Sequence, residues 1–319
     1  MQSKGNFTQN KNDRNDIMNK KRYIYVAIAI SIVLLAIFMS YKKYNNYLNS
    51  GLYGTPLKQI NADGILPYNK QITPKIAIID TGVHLDNTFL KKGNIKQEYT
   101  DQTSQSSQKA HGTMVTGILI STGNGHSNPG GLIPNSDILS IQTGTDLGMT
   151  SKQLIQAINI AIDKNIQIIN ISLGTTKDSP ELQSVIKKAL EKGMIIVASA
   201  GNNSRSVNYY PAAYNGVISV GSIDNKKEIT NSLNISNISI FAPGENLLTT
   251  TANNKEKGYF TGNSAATPII TSIVAVMLTE NPNLKNSDIK SILIDSSDTK
   301  TYKGNEIKIV NLRNALKKV

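Results

Sequence analysis

Gly262-Asn263-Ser264-Ala265-Ala266-Thr267-Pro268 runs directly into an apolar stretch, Ile269 to Leu278. That stretch carries no charge on any face, so it reads as a helix buried all round. A glycine before a serine at the entry of such a helix permits a tight turn and close backbone approach. The serine then lies near the orphan N–H groups and the positive end of the helix dipole. This is a favourable place for a nucleophile that must carry a developing oxyanion. A serine in front of a helix is also an ordinary N-cap, and this stretch alone leaves both roles open.

Upstream lie short Ile/Val-rich runs at Lys75–Ile79, Asp137–Gln142, Ile166–Ser172, Met194–Ser199 and Gly216–Gly221. They are continuous rather than alternating, which predicts parallel strands buried on both faces. Helical patterns separate them. Ser151–Asp163 sets Leu154, Ile155, Ile158 and Ile162 on one face, and Ser179–Lys192 does the same with Leu182, Val185 and Leu190. The alternation predicts an α/β fold: a doubly wound, mostly parallel sheet with helices on both faces. Sites in such sheets form beyond the C-terminal ends of the strands. Asp80, Ser172 and Asn202 all fall at or just after predicted strand ends. The chain has no internal repeat.

Asp80 closes its strand in Ile-Ile-Asp-Thr-Gly, where an aspartate before glycine also suits a simple turn. Of three histidines, His84 follows a Gly turn and His126 lies in the Gly/Asn-rich loop Gly123–Gly131. Only His111 opens an apolar helical run beside a glycine. A general base needs a pKa near working pH and a partner that sets its tautomer. An aspartate at a strand end can be that partner, and Ser264 is then the nucleophile that His111 deprotonates.

Asp80-Thr81-Gly82, His111-Gly112-Thr113-x-Val115-x-Gly117 and Gly262-Asn263-Ser264-x-Ala266-x-Pro268 occur in one order. In that order the chain resembles the subtilisin-like serine proteases (subtilases). The likeness extends to Ser199-Ala200-Gly201-Asn202, which resembles the family's oxyanion-hole segment. Asn170-Ile171-Ser172-Leu173-Gly174 is similar to its substrate-binding strand. Phe241-Ala242-Pro243-Gly244 resembles the loop before the catalytic serine, and Tyr53-Gly54 and Val310–Leu316 resemble the edges of the fold. The resemblance covers residues 53–317. It implies a serine endopeptidase with triad Asp80, His111 and Ser264, and Asn202 as oxyanion donor. It also implies substrate pairing along Ser172, Leu173 and Gly174 and along Leu147, Gly148 and Met149. The primary specificity pocket, walled near Asn202-Asn203 and Asn208-Tyr209, offers no carboxylate and is not expected to demand a basic side chain.

The family usually has Thr before the nucleophile and Met after it, where this chain has Asn263 and Ala265. An acidic calcium ligand common in relatives has no match, since Asp86-Asn87-Thr88-Phe89 stands there. The Gly123–Gly131 loop reads either as a solvated loop or as a backbone-carbonyl wrap for a structural calcium. Catalysis is expected to need no cofactor and no metal ligand set. Gly123-x-Gly125 is no dinucleotide fingerprint, because it follows a helix and lacks an acidic partner. Two further readings are a non-catalytic peptide-binding protein of the same fold and a nucleotide-binding α/β protein. Loss of a triad member would favour the first, and all three are present; the second lacks any phosphate loop.

The 319 residues suffice for one large core. Net charge is +12, of which residues 1–60 supply +7, so the basic character belongs mostly to the N-terminal arm. No basic face interleaved with aromatics marks a nucleic-acid site, and the protein is read as a monomer. The absence of Cys excludes disulfides, zinc–thiolate sites and a Cys nucleophile. Residues 1–22 are a polar, basic tail. Tyr23–Tyr41 is uncharged between Lys20-Lys21-Arg22 and Lys42-Lys43, and its 19 residues reach about 28 Å as a helix, near the thickness of a hydrocarbon core. A cleaved signal peptide would end in a small-x-small site, which Ile37-Phe38-Met39-Ser40-Tyr41 lacks. The expectation is one transmembrane signal anchor at 23–41, N-terminus cytoplasmic by its basic flank, with the peptidase domain 53–319 outside the cell membrane. Linker 42–52 is too short for a folding prodomain, so folding without one is expected.

Overall fold

The computed structural model of the protein describes residues 23, 25–44, 50–100, 109–144, 149–202, 208–230, 235–252 and 256–319. The chain divides into two compact units, Met1–Leu48 and Asn49–Val319. In the first, helix α1 (Tyr25–Tyr44) has 20 residues with mean hydropathy 2.0, long and apolar enough to cross a membrane. Its large side chains, Leu34 and Phe38 among them, are exposed. The helix continues past Lys42-Lys43, beyond the predicted end at Tyr41, because no Gly or Pro stops it there.

The second unit opens with Leu52, fully buried, and Tyr53, whose N–H donates to Gly125 O and whose hydroxyl donates to Gly131 O at 2.7 Å. A short helix α2 (Thr55–Gln59) follows. Strands β1 (Ile76–Asp80) and β2 (Asn94–Tyr99) precede helix α3 (Ala110–Ile120). Then come β3 (Asp137–Gln142), α4 (Ser151–Asp163), β4 (Ile168–Ile171), α5 (Pro180–Glu191), β5 (Ile195–Ser199), β6 (Ile218–Ile223) and β7 (Ile240–Pro243). The hairpin β8 (Leu247–Thr250) and β9 (Lys257–Phe260) leads into α6 (Asn263–Glu280). Helix α7 (Asn286–Asp295), strands β10 (Asp298–Tyr302) and β11 (Asn305–Ile309), and helix α8 (Leu312–Leu316) complete the chain.

Nine strands form one sheet in the order β10-β11-β7-β6-β5-β4-β1-β3-β2. Every pairing is parallel except β10 with β11. The strands alternate between two cores. Ile76 and Ile78 join the one built on α3 and α6, while Ala77 and Ile79 join the one built on α4 and α5. Both faces are thus covered, which is why the central strands read as unbroken Ile/Val runs. Local signals set the helix ends. Thr150 and Gln153 form a capping box on α4, and Ser179 caps α5 with Pro180 in its first turn. Helix α6 is buried from Asn263 to Leu278, as an apolar run with no polar face requires.

Two features differ from expectation, and a third, the reversal at β1, agrees with it. Phe241–Pro243 lies in β7 and not in a loop, because it pairs with β6 and Phe241 is buried. The edge strand β2 and the terminal hairpin β10–β11 leave one face toward solvent, so they lack the apolar run that marks the inner strands. Strand β1 pairs with β3 on one side and β4 on the other, so the chain reverses its direction of travel there. The crevice at such a reversal opens past the C-terminal strand ends, where Asp80 and Ser172 lie.

Candidate active site

Asp80 is the last residue of β1 and is buried. Its Oδ1 accepts from the Thr81 N–H at 2.8 Å and lies 2.7 Å from His111 Nδ1. Its Oδ2 is buried with no hydrogen-bond partner among the described residues. A carboxylate on Nδ1 fixes the orientation of the imidazole. His111 sits in the first turn of α3. The Gly112 N–H donates to Thr81 Oγ1 at 3.0 Å, and a methyl group on Gly112 would stand 3.0 Å from Gly82 N. Glycine at 112 therefore lets α3 start against the end of β1, which brings His111 to Asp80. Phe260 packs edge-on to the imidazole, 5.3 Å between centroids.

Gly262, at φ 126°, is the N-cap of α6, in a backbone conformation that favours glycine. Ser264 is therefore inside the first turn and is not the cap. Its Oγ donates to Ser172 O at 2.8 Å, and Ser172 Oγ donates back to Ser264 O at 3.3 Å. The second bond has a cause in the sequence. Pro268 has no N–H to give to the carbonyl four residues before it, which is that of Ser264. Asn170 Nδ2 donates to Ser172 Oγ at 3.0 Å, and Thr271 Oγ1 of α6 donates to Asn170 Oδ1 at 2.9 Å. Ser172 is held from β4 and from α6 together.

With an Asp–His pair at one strand end and a buried serine in the first turn of an apolar helix, the family can be read. A profile of the subtilase family matches residues 72–311.

The chain is a subtilase.

It is 34% identical over 219 residues to the major intracellular serine protease of Bacillus subtilis (strain 168), covering 64% of this chain and 67% of that one. It is 33% identical over 221 residues to the minor extracellular protease Epr of the same organism, covering 68% of this chain but only 34% of that one. Among solved structures, the nisin leader peptidase NisP from Lactococcus lactis has TM-score 0.70 and 21% identity, over 85% of this chain and 95% of that one. At that identity the likeness is one of fold. As a subtilase, the chain is a serine-type endopeptidase.

Asn202 stands just beyond β5, and its Oδ1 accepts from the Asn263 N–H at 2.9 Å. That bond orients the amide, with Nδ2 as its donor end. Asn263, the departure from the family's Thr, is fully buried and bonded at both ends. Ser222 Oγ donates to its Oδ1 at 2.6 Å, and its Nδ2 donates to Gly201 O. It ties the serine-bearing turn to β6 and to the segment before Asn202. Sequence reading singled out Asn263 only as a departure. Ser222 gave no signal and Thr81 stood out only as part of Asp80-Thr81-Gly82, since nothing in their local pattern shows what they meet.

Of the other expected substrate-binding residues, Leu173 and Gly174 continue from Ser172 past β4, and Leu147 and Gly148 lie outside the described residues. The Met149 side chain is buried in the α4–α5 core. The His84 N–H donates to Thr113 Oγ1 at 2.9 Å, and His126 Nδ1 lies 3.1 Å from Ser50 O. The Gly123–Gly131 loop is folded on Asn124 Oδ1, which accepts from the N–H groups of His126, Ser127 and Asn128. Lys257 Nζ donates to Ser127 O at 2.9 Å and to Asn128 Oδ1 at 2.8 Å. An ammonium on those two oxygens opposes a divalent cation at Ser127 O and Asn128 Oδ1.

Proposed function

We propose that Asp80, His111 and Ser264 are the catalytic triad of a membrane-anchored endopeptidase that processes exported peptides or proteins. The observation that carries the reading is the 2.7 Å contact between Asp80 and His111 at the end of β1, beside the switch point that also holds Ser172. Asp80 fixes the imidazole and stabilises its cation. His111 takes the Ser264 Oγ proton as Oγ bonds to the scissile carbonyl carbon, then gives that proton to the leaving amine. Water hydrolyses the acyl-enzyme with His111 again as base. Asn202 Nδ2 and the Ser264 N–H receive the oxyanion.

The substrate adds as a strand along Ser172, Leu173 and Gly174 and along Leu147, Gly148 and Met149. A substrate N–H that takes Ser172 O competes with the Ser264 hydroxyl now bonded there at 2.8 Å. Binding then releases Ser264 Oγ toward His111, so engagement of the edge prepares the nucleophile.

In this reading α1 anchors the chain, residues 1–22 face the cytoplasm and residues 53–319 act outside. The uncharged length of α1 and its basic flank support that topology. A tethered protease meets substrates as they emerge at the membrane, and a fold like that of a nisin leader peptidase suits such processing. Labelling with a fluorophosphonate tests the chemistry: wild type is expected to label and cleave peptides, and Ser264→Ala to do neither while keeping its fold. Wild-type turnover in Ser264→Ala overturns the assignment. Comparing the N-termini of exported proteins with and without the enzyme would name the substrate.

A further inference from the structure

We propose that Tyr209 fills the primary specificity pocket and restricts cleavage to substrates with a small side chain, Gly, Ala or Ser, on the acyl side of the scissile bond. The inference rests on Ser264 being the nucleophile and Asn202 the oxyanion donor. A carbonyl held between those groups turns its own residue's side chain into the gap between the two segments that flank them. One segment runs from Ser172 to Gly174, and the other ends at Gly201-Asn202.

That gap is already occupied. A methyl group on Gly174 would stand 2.6 Å from Tyr209 Cε1, and one on Gly201 would stand 2.8 Å from Tyr209 Cγ. Both glycines are thus in direct contact with the ring, one on each side of the gap. The backbone beneath the ring is held firmly. Thr175 N–H donates to Tyr210 O at 2.9 Å and Tyr210 N–H donates to Thr175 O at 2.8 Å, an antiparallel bridge one residue from Gly174 and from Tyr209. Burial pushes the Tyr209 phenol above its usual range, while the backbone N–H of Gly174 acts in the opposite sense. Tyr209 itself helps to wall, with Ala200, Ala212, Ala213 and Ser219, a cavity of about 10 Å³. That is about the space of one water and admits no aromatic or branched side chain.

The test uses tetrapeptide p-nitroanilides that differ only in the residue before the scissile bond, Gly, Ala, Leu or Phe, with fluorophosphonate labelling run in parallel. Wild type is expected to favour Ala over Phe about a hundredfold in kcat/KM, the scale on which pocket size discriminates. Tyr209→Ala should raise the Phe-to-Ala ratio at least tenfold, and Tyr209→Phe should keep the wild-type ratio. Wild type cleaving after Phe as well as after Ala overturns the proposal without any variant. So does a Tyr209→Ala enzyme that still labels and cleaves with an unchanged ratio. Failure of wild type to label at Ser264 overturns instead the active-site reading beneath it.

Discussion

Asn263 shows how one side chain sets the geometry around the nucleophile. Its backbone N–H orients Asn202, while its side chain holds Gly201 O and takes the Ser222 hydroxyl. Replacing it with Ala leaves the buried Gly201 carbonyl without that donor, at about 1–3 kcal/mol. At about 2–4 °C per kcal/mol for a domain of this size, Asn263→Ala should lower Tm by several degrees in calorimetry. It should also lower kcat more than it changes KM, because the turn carrying Ser264 loses its side-chain ties to Ser222 and to Gly201, the residue before Asn202. An unchanged kcat alongside the lowered Tm would make Asn263 purely structural. Asn202→Ala should lower kcat by about 10²–10³ with little change in KM, the size established for such a donor in subtilisin itself. A rise in KM at constant kcat would mean that Asn202 only binds substrate.

At the scale of elements, α6 depends on its two ends. Its start places Ser264. Its end is tied to the segment before β1 by Tyr68, whose hydroxyl donates to Glu280 Oε1 at 2.5 Å, and by Lys70 Nζ at 3.3 Å. Burial, then the bond to Glu280, pushes the Tyr68 phenol from 10.0 up to about 12. The bond from Tyr68, then that from Lys70, holds the Glu280 carboxyl below its ordinary 4.5. The signs differ. The raised phenol contributes stability below pH 10 that is lost as pH climbs toward about 12, and the depressed carboxyl contributes stability above pH 4.5 that is lost as pH falls through its folded value. Glu280 is exposed and screened, so the contact is worth about 1 kcal/mol at neutral pH. The Tm difference between wild type and Tyr68→Phe should be constant between those limits and shrink between pH 10 and 12. A difference that does not change over that alkaline range would show that the hydroxyl contact does not stabilise the fold.

For the whole molecule, the two compact units carry separate predictions. Residues 49–319 contain both cores and every described site residue. A chain lacking residues 1–48 should therefore fold, stay soluble and label with fluorophosphonate as the full chain does. The full chain should sediment with membranes and leave them only with detergent. Release of the full chain by salt alone would overturn the anchor. The paired oxygens of the Gly123–Gly131 loop lead to a further expectation: EDTA should leave Tm and peptidase activity unchanged. A fall in Tm restored by calcium would place a cation site in the molecule.

Local pattern was sufficient where one residue's neighbours in sequence decide its state. Unbroken apolar runs marked β1, β3, β4, β5 and β6, because strands covered on both faces have no polar side to show. Apolar periodicity marked α4 and α5, and the ordered motifs around Asp80, His111 and Ser264 marked the family. Tertiary structure alone decided what depends on contacts between distant segments. It made Gly262 the cap and Ser264 a partner of Ser172, since the carbonyl that Pro268 leaves open is met from β4. It put Phe241 in a strand through its neighbour β6, and it paired the solvent-facing strand β2 with β3 and β10 with β11, though β2 and β10 carry no apolar run. It also laid Tyr209 between Gly174 and Gly201. Side-chain packing across 35 and 8 residues of chain places that ring, and no local periodicity records a contact of that kind.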